Sequence, residues 1–199
     1  MAKKLKQAIK VHVEKAWKTV TPIHAHKTLG GIYRRISPKG RGSRNWNGLL
    51  LEELVVKFLR TKIGEDCIFR NKKLALIDDT KYDILLCSSN NQGKTQSPIC
   101  LSVKTSLRER YKQAEREGLT AKQVHLGSYT VLLTMDKKVV EKKGRIMRGL
   151  DMVVDCSNEI QLRIFLKKIV SLNPIPRDRI KVIGPLISGK KTDDHLKRT

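Results

Sequence analysis

Two nearby runs of this chain, 81–87 (KYDILLC) and 99–104 (ICLSVK), are almost wholly apolar, yet an acid, Asp83, sits inside the first and Lys104 ends the second. Short continuous apolar runs of this kind suit strands covered on both faces. A carboxylate inside such a strand costs on the order of several kcal/mol unless a cation or metal compensates for it. Side chains alternate along a strand, so Ser102 and Lys104 share one face, while Asp83 lies opposite Tyr82, Ile84 and Leu86. If the two strands form a hairpin across the polar linker 88–98, Asp83 and Lys104 meet at one end.

Further β-type runs lie at 67–69, 74–77, 129–135 and 152–155, with a short one at 180–183. Helical patterns occupy 107–117, 121–125 and 158–170, and Pro174, Pro176 and Pro185 mark a looser C-terminal part. Strands interleaved with helices predict an α/β fold, a central mixed β-sheet flanked by helices. At 199 residues the chain fits a single domain.

Upstream, Leu5, Ala8, Ile9, Val13 and Trp17 recur at helical spacing among lysines, which predicts a basic amphipathic helix over 4–19. Residues 30–47 (GGIYRRISPKGRGSRNWN) mix glycines with basic and aromatic residues, and predict an irregular loop whose backbone approaches phosphates closely. A helix follows over 48–62, with Leu51, Leu54, Val55, Phe58 and Leu59 on one stripe, interrupted by Glu52 and Glu53.

The 42 Lys and Arg against 19 Asp and Glu give a net charge of +23. A surplus of that size points to a polyanionic partner, nucleic acid or an anionic membrane. No apolar run approaches the roughly 20 residues of a spanning helix. Residues 1–10 lack the following apolar stretch of a secretory signal, so a cytoplasmic location is expected. Cys67, Cys87, Cys100 and Cys156 form no Cys-x-x-Cys pair and read as reduced, core-filling thiols.

An acid and a lysine brought together at strand ends suit phosphodiester hydrolysis. The carboxylate holds Mg²⁺, which prefers oxygen ligands, and the lysine orients the nucleophile or offsets developing charge. A structural ion pair is the simpler alternative for Asp83 and Lys104 taken alone.

A strand acid, a polar linker and an apolar strand ending in x-Lys, here Tyr82-Asp83 and then Ser102-Val103-Lys104, resembles the PD-(D/E)xK nuclease motif. The run from Lys104 to Ala114 resembles the Lys-Thr-Ser-x-Arg-x-Arg-aromatic segment of type II restriction endonucleases. Gly48-Leu49-Leu50-Leu51-Glu52 is similar to that family's first core helix, whose glutamate is an auxiliary metal ligand. The resemblance covers roughly residues 45–156. It implies a restriction-endonuclease-like core at 48–156, preceded by a basic helix and DNA-contacting loop at 1–47 and followed by a C-terminal helix and extension at 157–199.

It also implies catalytic residues at Glu52, Glu53, Asp83, Ser102 and Lys104. Mg²⁺ would be held by Asp83, Glu52 and the backbone carbonyl of Val103. The implied protein is a homodimer that cuts double-stranded DNA at a short site, in a prokaryotic cytoplasm with a cognate DNA methyltransferase. Two departures stand out: Tyr82 replaces the motif's proline, and Ser102 occupies the place of the second acid. Glu52 is the favoured replacement for that acid, with Glu53 beside it. Some restriction enzymes that read CCGG-containing sites resemble a Ser-x-Lys pattern with the glutamate displaced downstream, and Glu117 fits that spacing. Against it, a helix opened by the Ser106/Glu109 capping box would carry Glu117 about 16 Å along its axis. A site retained only for binding is the remaining alternative.

DNA contacts are expected from Arg34, Arg35, Lys39, Arg41, Arg44, Asn45 and Trp46, and from Ser106, Arg108, Arg110, Tyr111 and Lys112 at the next helix's start, where phosphate is attracted. His24, His26, His125, Asp78, Asp79 and Asp136 read as loop, turn or isolated positions.

Overall fold

The computed structural model describes residues 2–19, 25–38, 44–65, 67–73, 80–87, 98–105, 110–143 and 147–172. Helices α1 (Ala2–Trp17), α2 (Ala25–Ile36) and α3 (Arg44–Ile63) come first. They are followed by β1 (Ile68–Lys73), β2 (Lys81–Cys87), β3 (Pro98–Lys104), α4 (Arg110–Val124), β4 (Tyr129–Thr134), α5 (Lys137–Lys143), β5 (Met152–Asp155) and α6 (Glu159–Ser171). The strands form one sheet in the order β1-β2-β3-β4-β5. The β1–β2 and β2–β3 pairs are antiparallel, and the β3–β4 and β4–β5 pairs are parallel. The fold is thus α/β with a mixed sheet between helices.

Strand alternation sorts the two faces. Ile84, Leu86, Ile99, Leu101, Val103, Val131, Leu133 and Val154 join Ile9, Val13, Leu29, Ile32, Leu54, Phe58, Leu162 and Phe165 in one core beneath α1, α2, α3 and α6. The opposite face holds a smaller cluster of Ala114, Leu132 and Met147, against which Tyr111, Leu150 and Val153 pack. Helix α4 lies over β3 and β4 on that second face. Cys100, Ser102 and Lys104 alternate with the first-face residues of β3, and all three are buried. Loops at the carboxyl ends of parallel strands form the usual crevice of such sheets, and Lys104 lies at that end of β3.

Two sequence expectations require correction. Residues 30–47 are not one irregular loop: α2 runs through Gly30 and Gly31 to Ile36, and α3 begins at Arg44, leaving 39–43 outside the described residues. Gly30 serves close packing, since a Cβ there would meet Ser157 Cα at 2.8 Å. The helices expected at 107–117 and 121–125 are one helix, α4, which does not end at Gly118. There too the glycine marks a close approach: a Cβ on Gly118 would meet the Gly149 carbonyl oxygen at 2.3 Å. Gly149 has φ +75°, a backbone region that glycine enters without steric cost. Helix α5 was not expected. The runs at 74–77 and 180–183 lie outside the described residues, as does the Ser106/Glu109 capping box. Cys67, Cys100 and Cys156 are buried, as expected of core-filling residues.

Candidate active site

The β2–β3 ladder extends from Cys87–Pro98 to Ile84–Leu101 and goes no further. The next available amide along β3, Val103 N–H, donates instead to Asp83 Oδ2 at 2.7 Å. Lys104 Nζ donates to the same oxygen at 2.8 Å. Opening of the ladder thus brings the strand acid and the strand lysine together, as the hairpin expectation required. The Lys104 side chain is only 8% exposed and that of Asp83 23%, so the pair sits at a partly open rim.

The second acid at this rim comes from α4. Ser102 Oγ donates to Glu117 Oε2 at 2.5 Å, and Gln113 Nε2, one helical turn back, donates to Oε1 at 2.8 Å. Burial raises the Glu117 carboxyl above the ordinary carboxylate range. The Lys104 charge and the Ser102 hydrogen bond oppose that rise, whereas the Asp83 charge adds to it. Glu117 therefore feels both members of the ion pair. With all three ionised, Asp83, Glu117 and Lys104 carry one excess negative charge in a largely buried setting, an environment that favours a bound cation.

The donor set fits a hard divalent ion. Only oxygen is on offer from the two carboxylates, and Asp83 Oδ1 makes no hydrogen bond among the described residues. No group of three or more His, Cys, Asp and Glu side chains suited to a metal occurs among the described residues. An ion here would take two carboxylates and complete its shell with a backbone carbonyl such as that of Val103, with water or with substrate. Mg²⁺ commonly binds in this way, whereas zinc favours nitrogen and sulfur.

Glu52 and Glu53 have a different engagement. Both are 6% exposed on α3. Arg70 from β1 donates to Glu52 Oε1 through Nε at 3.2 Å and Nη2 at 2.9 Å, and through Nη1 to Glu53 Oε2 at 2.5 Å. Asn71 Nδ2 adds a bond to Glu52 Oε1 at 3.2 Å, from a residue with φ +51°. Burial weakens the Arg70 charge, but the two glutamates outweigh it and hold the guanidinium protonated. The arginine thus neutralises the helix glutamates, and Glu117 is the carboxylate that meets Ser102.

Sequence reasoning did not find Arg70, Asn71 or Gln113. For Gln113 a signal existed, its spacing of four residues from Glu117 on one helix. For Arg70 there was none, because its partners lie on an element distant in sequence.

Among the expected DNA contacts, Arg34 and Arg35 are exposed near the end of α2, Asn45 is exposed in the first turn of α3, and Arg110 and Lys112 are exposed in the first turn of α4. Trp46 is half-buried and meets His12 edge-on at 6.5 Å between ring centres, so part of its surface is packing. Tyr111 leans on the small cluster beneath α4. Lys39, Arg41, Ser106 and Arg108, and the side chain of Arg44, lie outside the described residues.

No family model, curated protein or solved structure matches the chain.

Proposed function

We propose that this chain is a Mg²⁺-dependent endonuclease that hydrolyses phosphodiester bonds in double-stranded DNA. The observation that carries the reading is the convergence of Asp83, Lys104 and the Ser102–Glu117 pair at the open end of the β2–β3 ladder. A merely structural ion pair accounts for Asp83 and Lys104, but not for a third ionisable group buried on a serine beside them.

Asp83 and Glu117 bind the ion, with the Val103 carbonyl close by in the chain. Mg²⁺ supplies charge neutralisation at the phosphate and acidification of water when bound. Lys104, fixed by Asp83, orients the attacking water and offsets charge developing on the phosphoryl oxygens. The exposed Arg34, Arg35, Arg110 and Lys112, within a chain of net charge +23, supply phosphate contacts.

The order of motifs in the sequence extends the proposal to a type II restriction enzyme on a restriction-endonuclease-like core. As a homodimer it would match the two-fold symmetry of a short palindromic site. It would act in a prokaryotic cytoplasm beside a cognate methyltransferase. Among the described residues no helix is long and apolar enough to cross a membrane, and the basic surface is assigned to DNA.

The test is incubation of unmethylated plasmid or phage DNA with purified protein in Mg²⁺ and in EDTA, alongside Lys104→Ala. Discrete fragments that need Mg²⁺ and vanish in the variant are expected. A smear, or a preference for branched DNA, would replace site specificity with a structure-directed nuclease on the same core. Uncut but gel-shifted DNA across sequences and metals would sink the enzymatic reading in favour of a nucleic-acid-binding protein.

A further inference from the structure

Tyr82 departs from strand alternation in a way that bears on the site. Alternation expects its side chain on the Ile84 face, away from Asp83. Instead its hydroxyl donates to the main-chain carbonyl oxygen of Glu117 on α4, at 3.0 Å. The side chain is almost wholly buried, at 1% exposure. Tyr82 lies beyond the last β2–β3 pair, Ile84–Leu101, so the β3 pleat does not constrain it. A buried phenol bonded to a helix carbonyl that already belongs to the helix ladder adds little to folding that a phenylalanine would not also supply. What the hydroxyl does add is a link between the residue before one carboxylate and the backbone of the other.

We propose that Tyr82 is a positioning residue: its hydroxyl fixes the turn of α4 that carries Glu117 at the separation from Asp83 that a divalent ion requires. The inference rests on the nuclease reading of this site, and deepens it. Three bonds then orient Glu117, from Ser102 and Gln113 to its carboxylate and from Tyr82 to its backbone. Only the last is independent of the carboxylate's own charge. It therefore acts whether or not an ion is present, and preorganises the site before metal arrives.

The test is Mn²⁺ binding to the full-length, metal-free protein, followed by electron paramagnetic resonance without DNA, for wild type, Tyr82→Phe, Glu117→Gln and the double variant. Thermal unfolding and gel-shift affinity for DNA in EDTA are measured on the same samples. Tyr82→Phe is expected to weaken Mn²⁺ binding roughly tenfold, the loss typical when a group orienting a ligand is removed. DNA affinity in EDTA should stay unchanged, and the mutation should have no further effect in the Glu117→Gln background. Unchanged Mn²⁺ affinity in Tyr82→Phe, with or without a lower unfolding temperature, overturns the proposal for Tyr82 alone. Should Tyr82→Phe fail to fold, Tyr82→Met, which also lacks the donor, carries the same expectation. Wild type that binds no Mn²⁺, or binds it equally after Glu117→Gln, overturns the metal site itself and Tyr82's role with it.

Discussion

Ser102 and Glu117 share a hydrogen bond across 15 residues of sequence, and this bond brings a carboxylate to the strand position where the proposed nuclease reading requires a second acid. If that is its purpose, the acid can be moved. Glu117→Gln should lower cleavage on the order of a thousandfold, since a metal ligand is worth several kcal/mol of barrier, while gel-shift affinity in EDTA holds. Adding Ser102→Glu to Glu117→Gln should restore a measurable part of the rate. Cleavage that survives Glu117→Gln would remove Glu117 from the machinery and return attention to Glu52.

The raised carboxyl of Glu117 has a signature in metal-free stability. In the folded protein this group holds its proton to a higher pH than in the unfolded chain. The folded state then binds more protons in the window between the two values, so its contribution to stability is full below the ordinary glutamate pKa. That contribution is lost as pH rises through the folded value. Urea unfolding in EDTA should show this decline, Glu117→Gln should flatten it, and Mg²⁺ should reverse it by binding only the folded, ionised form. A flat profile in the wild type would show that the carboxyl is not held protonated.

The sequence made the strand half of the site legible and the helix half poorly so, for physical reasons. Asp83 and Lys104 stood out because a charge in an apolar strand is costly wherever the strand lies, and their meeting followed from a hairpin. Sequence geometry disfavours Glu117 because a helix beginning at 107 carries it about 16 Å along its axis. Helix α4 instead lies over β3 and β4, so that length runs back across Ser102, and Gly118 reads as the helix's end. The glycine there is a contact with the 147–151 segment, which no local pattern reveals. Gly30 misled in the same direction, since a glycine needed for helix packing against Ser157 reads like one needed for a loop. The pairing of Glu52 and Glu53 with Arg70 depends on how α3 crosses β1, a tertiary fact with no spacing rule behind it.

That pairing makes Arg70 a sharp stability test. Both glutamates are buried, and Arg70 itself is 29% exposed at the side chain. Removing one partner from a buried charge cluster leaves uncompensated carboxylates, so Arg70→Ala should cost about 3 kcal/mol, read as the urea midpoint at constant slope. Adding Glu52→Gln and Glu53→Gln should recover most of the loss, because the stranded charges go with them. A loss in Arg70→Ala that those changes leave untouched would mean that the arginine contributes by packing its stem and not by neutralising α3.

Gly118 offers the complementary test, one of placement. Its Cβ would meet the Gly149 carbonyl oxygen at 2.3 Å and carbon at 2.9 Å, and both are backbone atoms that no rotamer change can move. Helix α4 or the 147–151 segment must shift, at a cost of about 1–3 kcal/mol by analogy with overpacked cores. Glu117 is the preceding residue, so the shift displaces the carboxylate from Ser102 while leaving Asp83 and Lys104 in place. Gly118→Ala is therefore expected to lower the urea midpoint modestly and to raise the Mg²⁺ concentration needed for half-maximal cleavage. DNA affinity in EDTA should be unaffected. If the variant is destabilised yet keeps the wild-type Mg²⁺ dependence, the helix has some other route to its register, and the Ser102–Glu117 contact tolerates more movement than its burial suggests.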